Sequence, residues 1–219
     1  MGMLFVEFAV VGLGRFGTSI AKALSDADQA VLAVDINEEN VQKISNIVTQ
    51  AVVADVTDID AMRAIGIRNV DVAIITAASH LQASILGTLI LKEVGVNKVI
   101  AKANNDLHGK VLERVGADRV VYPERDTGVR LARSLISTNI IEQIDLNPDY
   151  SIVEMIAPDA ITNQALKDSQ LKNKYGLYVM AIKSGHDVKL NPTAEDLISD
   201  GDMLIMIGEN GDIDKFKKI

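Results

Sequence analysis

"VVGLGRFGTSI", residues 10–20, decides how the rest of the chain is read. Gly12, Gly14 and Gly17 spell G-x-G-x-x-G behind an apolar run, the pattern of a turn that brings backbone against a nucleotide's phosphates. Gly12 permits the tight turn, Gly14 lets the backbone approach a pyrophosphate, and Gly17 lets the following helix pack close to the sheet. That helix then faces the phosphates with free N–H groups and a partial positive charge. The slot after Gly14 holds Arg15, followed by Phe16. A cation at the mouth of a phosphate site raises two readings: a dehydrogenase cradling NAD, or a sensor gripping a free terminal phosphate.

Outward from this stretch, short β-branched runs alternate with helical ones. Strands are expected at 8–12, 30–35, 50–55, 70–77, 98–103 and 118–123. The segments between them carry apolar residues three and four apart, the helical period. Three junctions repeat one pattern: Gly66-Ile67, Gly95-Val96 and Gly116-Ala117, each followed after two further residues by a Val. Each Gly stands where a helix C-cap needs a left-handed residue. The regular βα alternation predicts an α/β fold, a doubly wound, Rossmann-like parallel sheet.

Composition agrees with that class. Hydrophobic residues make up 48% of the 219 residues, with 4% aromatic and no Trp, so Ala, Val, Ile and Leu fill the interior as in a sheet covered on both faces. A net charge of −8 repels phosphate backbones and argues against nucleic acid as a partner. The lack of Cys excludes a disulfide framework and thiolate metal sites and fits a reducing cytoplasm. No apolar run reaches bilayer length, and MGMLFVEF lacks the basic start of a signal peptide. A membrane role is therefore expected to come through a partner.

After Glu124 the helical pattern is long, RDTGVRLARSLISTNIIEQI (125–144), with a broad apolar face. Such a helix either ends the domain on its own sheet or crosses to a partner subunit. DLNPDY (145–150) reads as a linker. The expected boundary therefore falls after residue 144: a nucleotide-binding domain at 1–144 and a small α+β domain at 145–219. In the second domain strands are expected at 151–157, 177–183, 187–190 and 203–209, and helices at 164–176, 193–199 and 212–219.

Candidate site residues follow the ends of the predicted strands, where ligands bind in such sheets. Asp35 ends the second strand 21 residues after Gly14, the place of an acid that hydrogen-bonds ribose hydroxyls. Asp55 ends the third and either reaches an adenine amino group or caps the helix beginning near Asp58. Ala77, Ala78 and Ser79 follow the fourth, either allowing close approach of a ligand or simply making a turn. Lys102 in the fifth strand points to the same crevice. Glu124 either shares a divalent cation with the phosphates or serves as N-cap or first-turn acid of the long helix. His80, His108 and His186 lack metal-ligand spacing; His80 alone stands beside the crevice, as an acid or base or as an ordinary helix start. There is no G-x-x-x-x-G-K-[ST] P-loop.

These stretches resemble a family. "FAVVGLGRFGTSIAKAL", "VLAVDINEENV", "GADRVVYPERDTGVRLARSL", "KYGLYVMAIK" and "LISDGDMLIMIG" are similar to the cytosolic RCK (KTN) regulatory subunits of bacterial Ktr/Trk potassium uptake systems, over essentially the whole chain. The resemblance implies an N-domain that binds ATP and ADP, ATP being the activating ligand. It implies homodimers that assemble into an octameric ring beneath a membrane-embedded potassium transporter subunit. It gives Gly12, Gly14 and Gly17 to the phosphates, Asp35 to the ribose, Arg15 to the terminal phosphate, Glu124 to a cation, and 126–143 to a subunit-crossing helix. The C-domains of these proteins are similar to cyclic di-AMP receptors. Leu171, Lys172, Asn173 and Tyr175, with the turn at Asn191-Pro192, are the corresponding candidates here. Lys172 stands where relatives often carry Arg, keeping the charge without bidentate phosphate geometry.

The resulting expectation is a non-enzymatic, nucleotide-gated regulator of a potassium transporter that takes ATP/ADP and, as a further ligand, NAD(H). A small NAD-dependent oxidoreductase is the alternative, and a redox sensor binding NAD(H) without turnover is a third reading.

Overall fold

The computed structural model describes residues 7–77, 80–136 and 140–217. The chain divides into two compact units, Met1–Glu124 and Arg125–Ile219, each described by itself.

The first unit alternates strand and helix: β1 (Glu7–Val11), α1 (Arg15–Asp26), β2 (Ala30–Asp35), α2 (Glu38–Ile44), β3 (Gln50–Val53), α3 (Ile59–Ala64), β4 (Val72–Ile75), α4 (Leu81–Glu93), β5 (Lys98–Lys102), α5 (Asp106–Arg114) and β6 (Arg119–Val121). The six strands form one parallel sheet in the order β3-β2-β1-β4-β5-β6. The doubly wound reading therefore holds. The apolar runs are continuous because both faces are covered: Ala9 and Val11 enter one core cluster and Val10 the other. Leu32 and Val34 go to the first side, Val31 and Ala33 to the second. Burying each large aliphatic side chain this way stabilises by about 1.5–3 kcal/mol. Gly66, Gly95 and Gly116 all adopt positive φ, 72°, 96° and 107°, the left-handed C-cap geometry that their repeated setting predicts.

β1 lies at the middle, with β2 on one side and β4 on the other. Helical connections therefore leave in opposite directions from the ends of β1 and β4, and the carboxyl edge opens into a crevice there.

Next come α6 (Pro123–Ile136), β7 (Ile140–Asp145), β8 (Tyr150–Ile156), β9 (Gln164–Ala165), α7 (Leu171–Tyr175), β10 (Tyr178–Ser184), β11 (Asp187–Leu190), β12 (Leu197–Ile198), β13 (Met203–Glu209) and α8 (Asn210–Phe216). An antiparallel sheet, β11-β10-β13-β8-β7, is joined by the β12-β9 pair. Its strands alternate: Ser151, Val153 and Met155 are buried and their neighbours are not. The inward residues pack with Leu171, Ile213 and Phe216 of α7 and α8.

Four sequence expectations for this part differ from the structure. The expected helix over 125–144 ends at Ile136, and Ile140–Asp145 is a strand paired with β8. Apolar residues at 140 and 144 satisfy both periods, and the β-branched pair Ile140-Ile141 favours the extended one. Residues 145–150 are the turn of the β7–β8 hairpin rather than a linker: Asn147 Oδ1 accepts from the N–H groups of Asp149 and Tyr150, each at 2.8 Å. The two compact units meet at Glu124/Arg125, within α6. The expected helix 164–176 survives only as α7. Gln170 turns left-handed (φ 55°) and the N–H groups of Leu166 and Lys167 donate to Asp196 and Ala194 carbonyls, so tertiary pairing overrides local propensity. The expected helix 193–199 is a turn closed by the Asp196 carboxylate, which accepts from Thr193 N (2.6 Å), followed by β12.

Candidate functional site

The glycine loop leaves β1 with Gly12 at φ 93°, a conformation that costs a side chain dearly. Thr76, just past β4, donates from Oγ1 to the Gly12 carbonyl at 2.6 Å. A Cβ on Gly17 would overlap the Gly12 carbonyl oxygen, whereas one on Gly14 would meet nothing of the chain within 4 Å. The glycines thus divide their work: Gly12 and Gly17 let the chain approach itself, and Gly14 keeps the outer side of the loop bare. Helix α1 starts on Gly14 with no side-chain cap and no acid in its first turn, a start whose first N–H groups are open to an anion.

Asp35 closes the loop from the β2 side. Its carboxylate accepts from Leu13 N (2.5 Å), Asn37 N (2.7 Å) and Asn40 Nδ2 (3.4 Å). The acid is therefore held in place by backbone and also holds the loop. Asp55 accepts from Thr57 N and Oγ1, both at 2.8 Å. The α3 N-cap is Asp58, which receives Asp60 N and Ala61 N, so the cap reading of Asp55 is corrected.

Gly12, Gly14, Asp35, Asp55 and Ala77 line one cleft of about 900 Å³ at the carboxyl edge of β1–β4. His80 lines it too, at the start of α4. Ala78 and Ser79 lie outside the described residues. Among the contributors that escaped the sequence reading are Asn37, Asn40, Thr57 and Thr76. Their one sequence signal was a polar side chain within a few residues after each strand end. Ile36, 68% exposed, and Leu81, 54% exposed, also face the cleft; apolar groups so placed suit the faces of a planar base.

Arg15, Phe16, Lys102 and Glu124 form a second group beside the loop rather than in the cleft wall. The Lys102 ammonium lies 5.6 Å from the centre of the Phe16 ring and pairs with the Glu124 carboxylate. The Lys102 side chain is only 12% exposed, that of Glu124 69%. The hydrogen bond from Lys102, aided by the charges of Lys102 and Arg15, holds the Glu124 carboxyl below the usual carboxylate range. Glu124 sits in the first turn of α6. Among the described residues no group of three or more His, Asp or Glu is set to hold a metal ion. Glu124 fits a divalent cation only as one donor beside phosphate oxygens.

The second unit carries a groove of about 310 Å³ lined by Leu171, Lys172, Asn173 and Tyr178 among others. Lys172 extends over the Tyr178 ring, 5.1 Å from its centre. Tyr175 is elsewhere: it packs edge-on against Phe216, ring centres 5.0 Å apart, in the core. Asn191 (φ 49°) and Pro192 belong to the loop after β11 and do not line the groove. Tyr178 was missed because, in sequence, it reads as one more strand residue.

Two family matches cover these units: the TrkA-N domain on residues 8–123 and the TrkA-C domain on residues 151–219. Ktr system potassium uptake protein C of Bacillus subtilis is 44% identical over 212 residues, covering 97% of this chain and 96% of that protein. The chain belongs to the Ktr potassium uptake protein family. Potassium uptake protein A of the same organism is 43% identical, with 96% and 95% covered. That of Vibrio alginolyticus is 36% identical, with 92% of each covered. Among solved structures, the GsuK RCK domain aligns with TM-score 0.67 at 14% identity over 99% of this chain, and the chain spans 48% of that structure. The fold of an RCK domain is thereby shared. A part in potassium transport follows from membership of the Ktr family. Among the described residues no helix is long and apolar enough to cross a membrane.

Proposed function

We propose that this Ktr family member is the nucleotide-gated, non-enzymatic regulatory subunit of a potassium transporter. ATP and ADP bind in the cleft of the first unit. The observation that carries this reading is the loop itself: Gly14 with open space on its outer side, the uncapped start of α1, and exposed Arg15 next to them. That arrangement suits a phosphate chain ending in a free, highly charged group. Asp35 takes the ribose hydroxyls, and Ile36 with Leu81 take the base. NAD(H) fits the same cleft as a further ligand. A divalent cation, when bound, screens the terminal phosphate from Glu124.

The subunit works at the cytoplasmic face of the membrane through a membrane-embedded potassium transporter subunit, as homodimers assembled in an octameric ring. The Ktr names of its relatives and the exposed apolar residues of α6, Val129, Leu131 and Leu135, support that assembly. Cyclic di-AMP occupies the groove at Lys172 in the second unit. Moving a gate from 1:99 to 99:1 takes about 5.5 kcal/mol of differential binding, or about 0.7 kcal/mol for each of eight sites, which small contact differences supply.

A thermal-shift panel with ATP, ADP, NAD, NADH and cyclic di-AMP tests the reading, because a ligand that binds only the folded state raises Tm by mass action. Stabilisation by ATP and ADP is expected. A response to NADH alone would return the chain to the oxidoreductase or redox-sensor readings.

A further inference from the structure

The antiparallel sheet of the second unit ends in β11 on one side and β7 on the other. The pairing of β7 with β8 shifts register between Ile140 and Glu142, an irregularity of the kind that keeps an edge from accepting another strand. β11 is regular: Asp187–Leu190 pairs without a shift against Ser184–Ala181, and all four of its residues are exposed. We propose that β11 is a self-pairing edge, lying antiparallel to β11 of a second copy about a two-fold axis through Val188. This builds on the reading that the chain self-associates, and gives the second unit a contact separate from α6.

Backbone direction limits the registers. Asn191 N donates to the Met180 carbonyl at 2.9 Å. Across a trans peptide the Leu190 carbonyl points the opposite way, off the edge. In an extended strand the N–H and C=O groups of Leu190 and Val188 share that direction, while those of Asp187 and Lys189 turn toward β10. A partner strand must oppose outward groups with outward groups, so the axis passes through a residue and not between two. With the axis at Leu190, Val188 would face Pro192, which has no N–H to give.

Charge selects among the rest. With the axis at Lys189 two ammonium groups would stand opposite each other, and with the axis at Asp187 two carboxylates would; like charges directly opposed destabilise a strand pair. With the axis at Val188, each Asp187 faces the partner's Lys189, and Val188 meets its own copy through a pair of N–H···O=C bonds. Asp187 has no ion pair among the described residues, and Lys189 is oriented by its pairing with Asp196. An edge lysine ordinarily discourages pairing; here it complements one register. That register also covers the exposed side chains of Val188 and Leu190 and joins two five-stranded sheets into one.

The full chain has no Cys, so one introduced thiol reports the contact. Under copper phenanthroline, Val188→Cys is expected to form an intermolecular disulfide, because residues paired in this way have Cα atoms about 5.5 Å apart, within disulfide reach. Leu197→Cys, exposed on β12, is expected to cross-link far more slowly. Adding Asp187→Lys to Val188→Cys opposes lysine with lysine on both sides of the axis and is expected to slow cross-linking about tenfold, a difference that shrinks in about 1 M salt. Lys189→Glu added to that chain is expected to restore the rate. If a lowered Tm shows that Lys189→Glu unsettles the turn at Asp196, Asp187→Asn serves in place of both charge changes and is expected to give an intermediate rate. Equal cross-linking at 188 and 197, or no effect of Asp187→Lys, overturns the proposal, and sedimentation as a dimer or larger then leaves the α6 assembly standing. A chain that sediments as a monomer at every concentration overturns both.

Discussion

The proposed nucleotide site of the first unit and the proposed groove site of the second each include a lysine, and they hold it differently. Lys102 is buried along its stem and tied to a carboxylate; Lys172 lies over the ring of Tyr178. The surrounding backbone differs as well. In the cleft, loops at the ends of four parallel strands converge, and Asp35 and Thr76 lock the glycine turn by hydrogen bonds. The groove is one short helix beside one strand. A site built at a sheet's switch point has its geometry fixed by the core beneath it. A site on a five-residue helix depends on side chains. Substitutions in the first should therefore separate into those that break the scaffold and those that break binding, whereas in the second they should alter binding alone.

Gly17→Ala is the strongest test of that separation. The added methyl would meet the Gly12 carbonyl and Thr76, so a loss of about 1–3 kcal/mol is expected from overpacking, read as a lower urea midpoint with nucleotide binding lost alongside. Gly14→Ala faces open space and is expected to keep the wild-type midpoint while weakening ATP and ADP. Equal midpoints for the two variants would remove the distinction.

Asp35→Ala comes next. It removes an acceptor from Leu13 N and from the ribose together, so ATP and ADP should weaken alike by about one to two decades, the worth of a charge-assisted hydrogen bond of about 1.5–3 kcal/mol. Calorimetry with unchanged affinities would reject the assignment. Arg15→Ala should cost ATP more than ADP, since ATP alone carries the third phosphate; equal losses would make Arg15 a general phosphate neighbour.

In the groove, Lys172→Arg should tighten cyclic di-AMP binding by the full chain and Lys172→Ala should weaken it, because a planar fork meets phosphate with two hydrogen bonds. Both variants should keep the wild-type Tm without ligand. Three indistinguishable titrations would leave the groove without this ligand.

The smallest effect concerns His108. Its Nδ1 accepts from Asn104 N at 3.3 Å, its Nε2 is buried without a partner, and burial lowers its pKa. The unfolded chain therefore binds the proton more readily, and stability falls as pH drops through the ordinary histidine value of about 6.5. His108→Gln should flatten the change in urea midpoint between pH 7 and 5.

How much of this was legible in sequence depended on whether one physical signal stood alone. The parallel sheet was legible because alternating strand residues feed two cores, so each strand is a continuous apolar run, and because three glycines punctuate helix ends. The glycine loop and Asp35 were legible from spacing. Asp35's second task was not, since nothing in sequence says that Leu13 N turns toward it. Residues 140–144 were misread because Ile140 and Ile144 satisfy both periods. The segment 164–176 was misread because its fate was decided by residues 194–198, far along the chain. Lys172 was legible as a cation, while Tyr178 beneath it was hidden in a strand pattern.

The order of the strands also has a temporal side. Every residue lining the large cleft falls between Val11 and Ala83, whereas Lys102 and Glu124 come later in the chain. During vectorial synthesis the N-terminal segments become available first. The walls of the cleft can thus assemble on the ribosome around β1–β4 before the Lys102–Glu124 pair has emerged. A nascent chain halted after α4 would hold every lining residue of the cleft, and Arg15 beside it, without the Lys102–Glu124 pair.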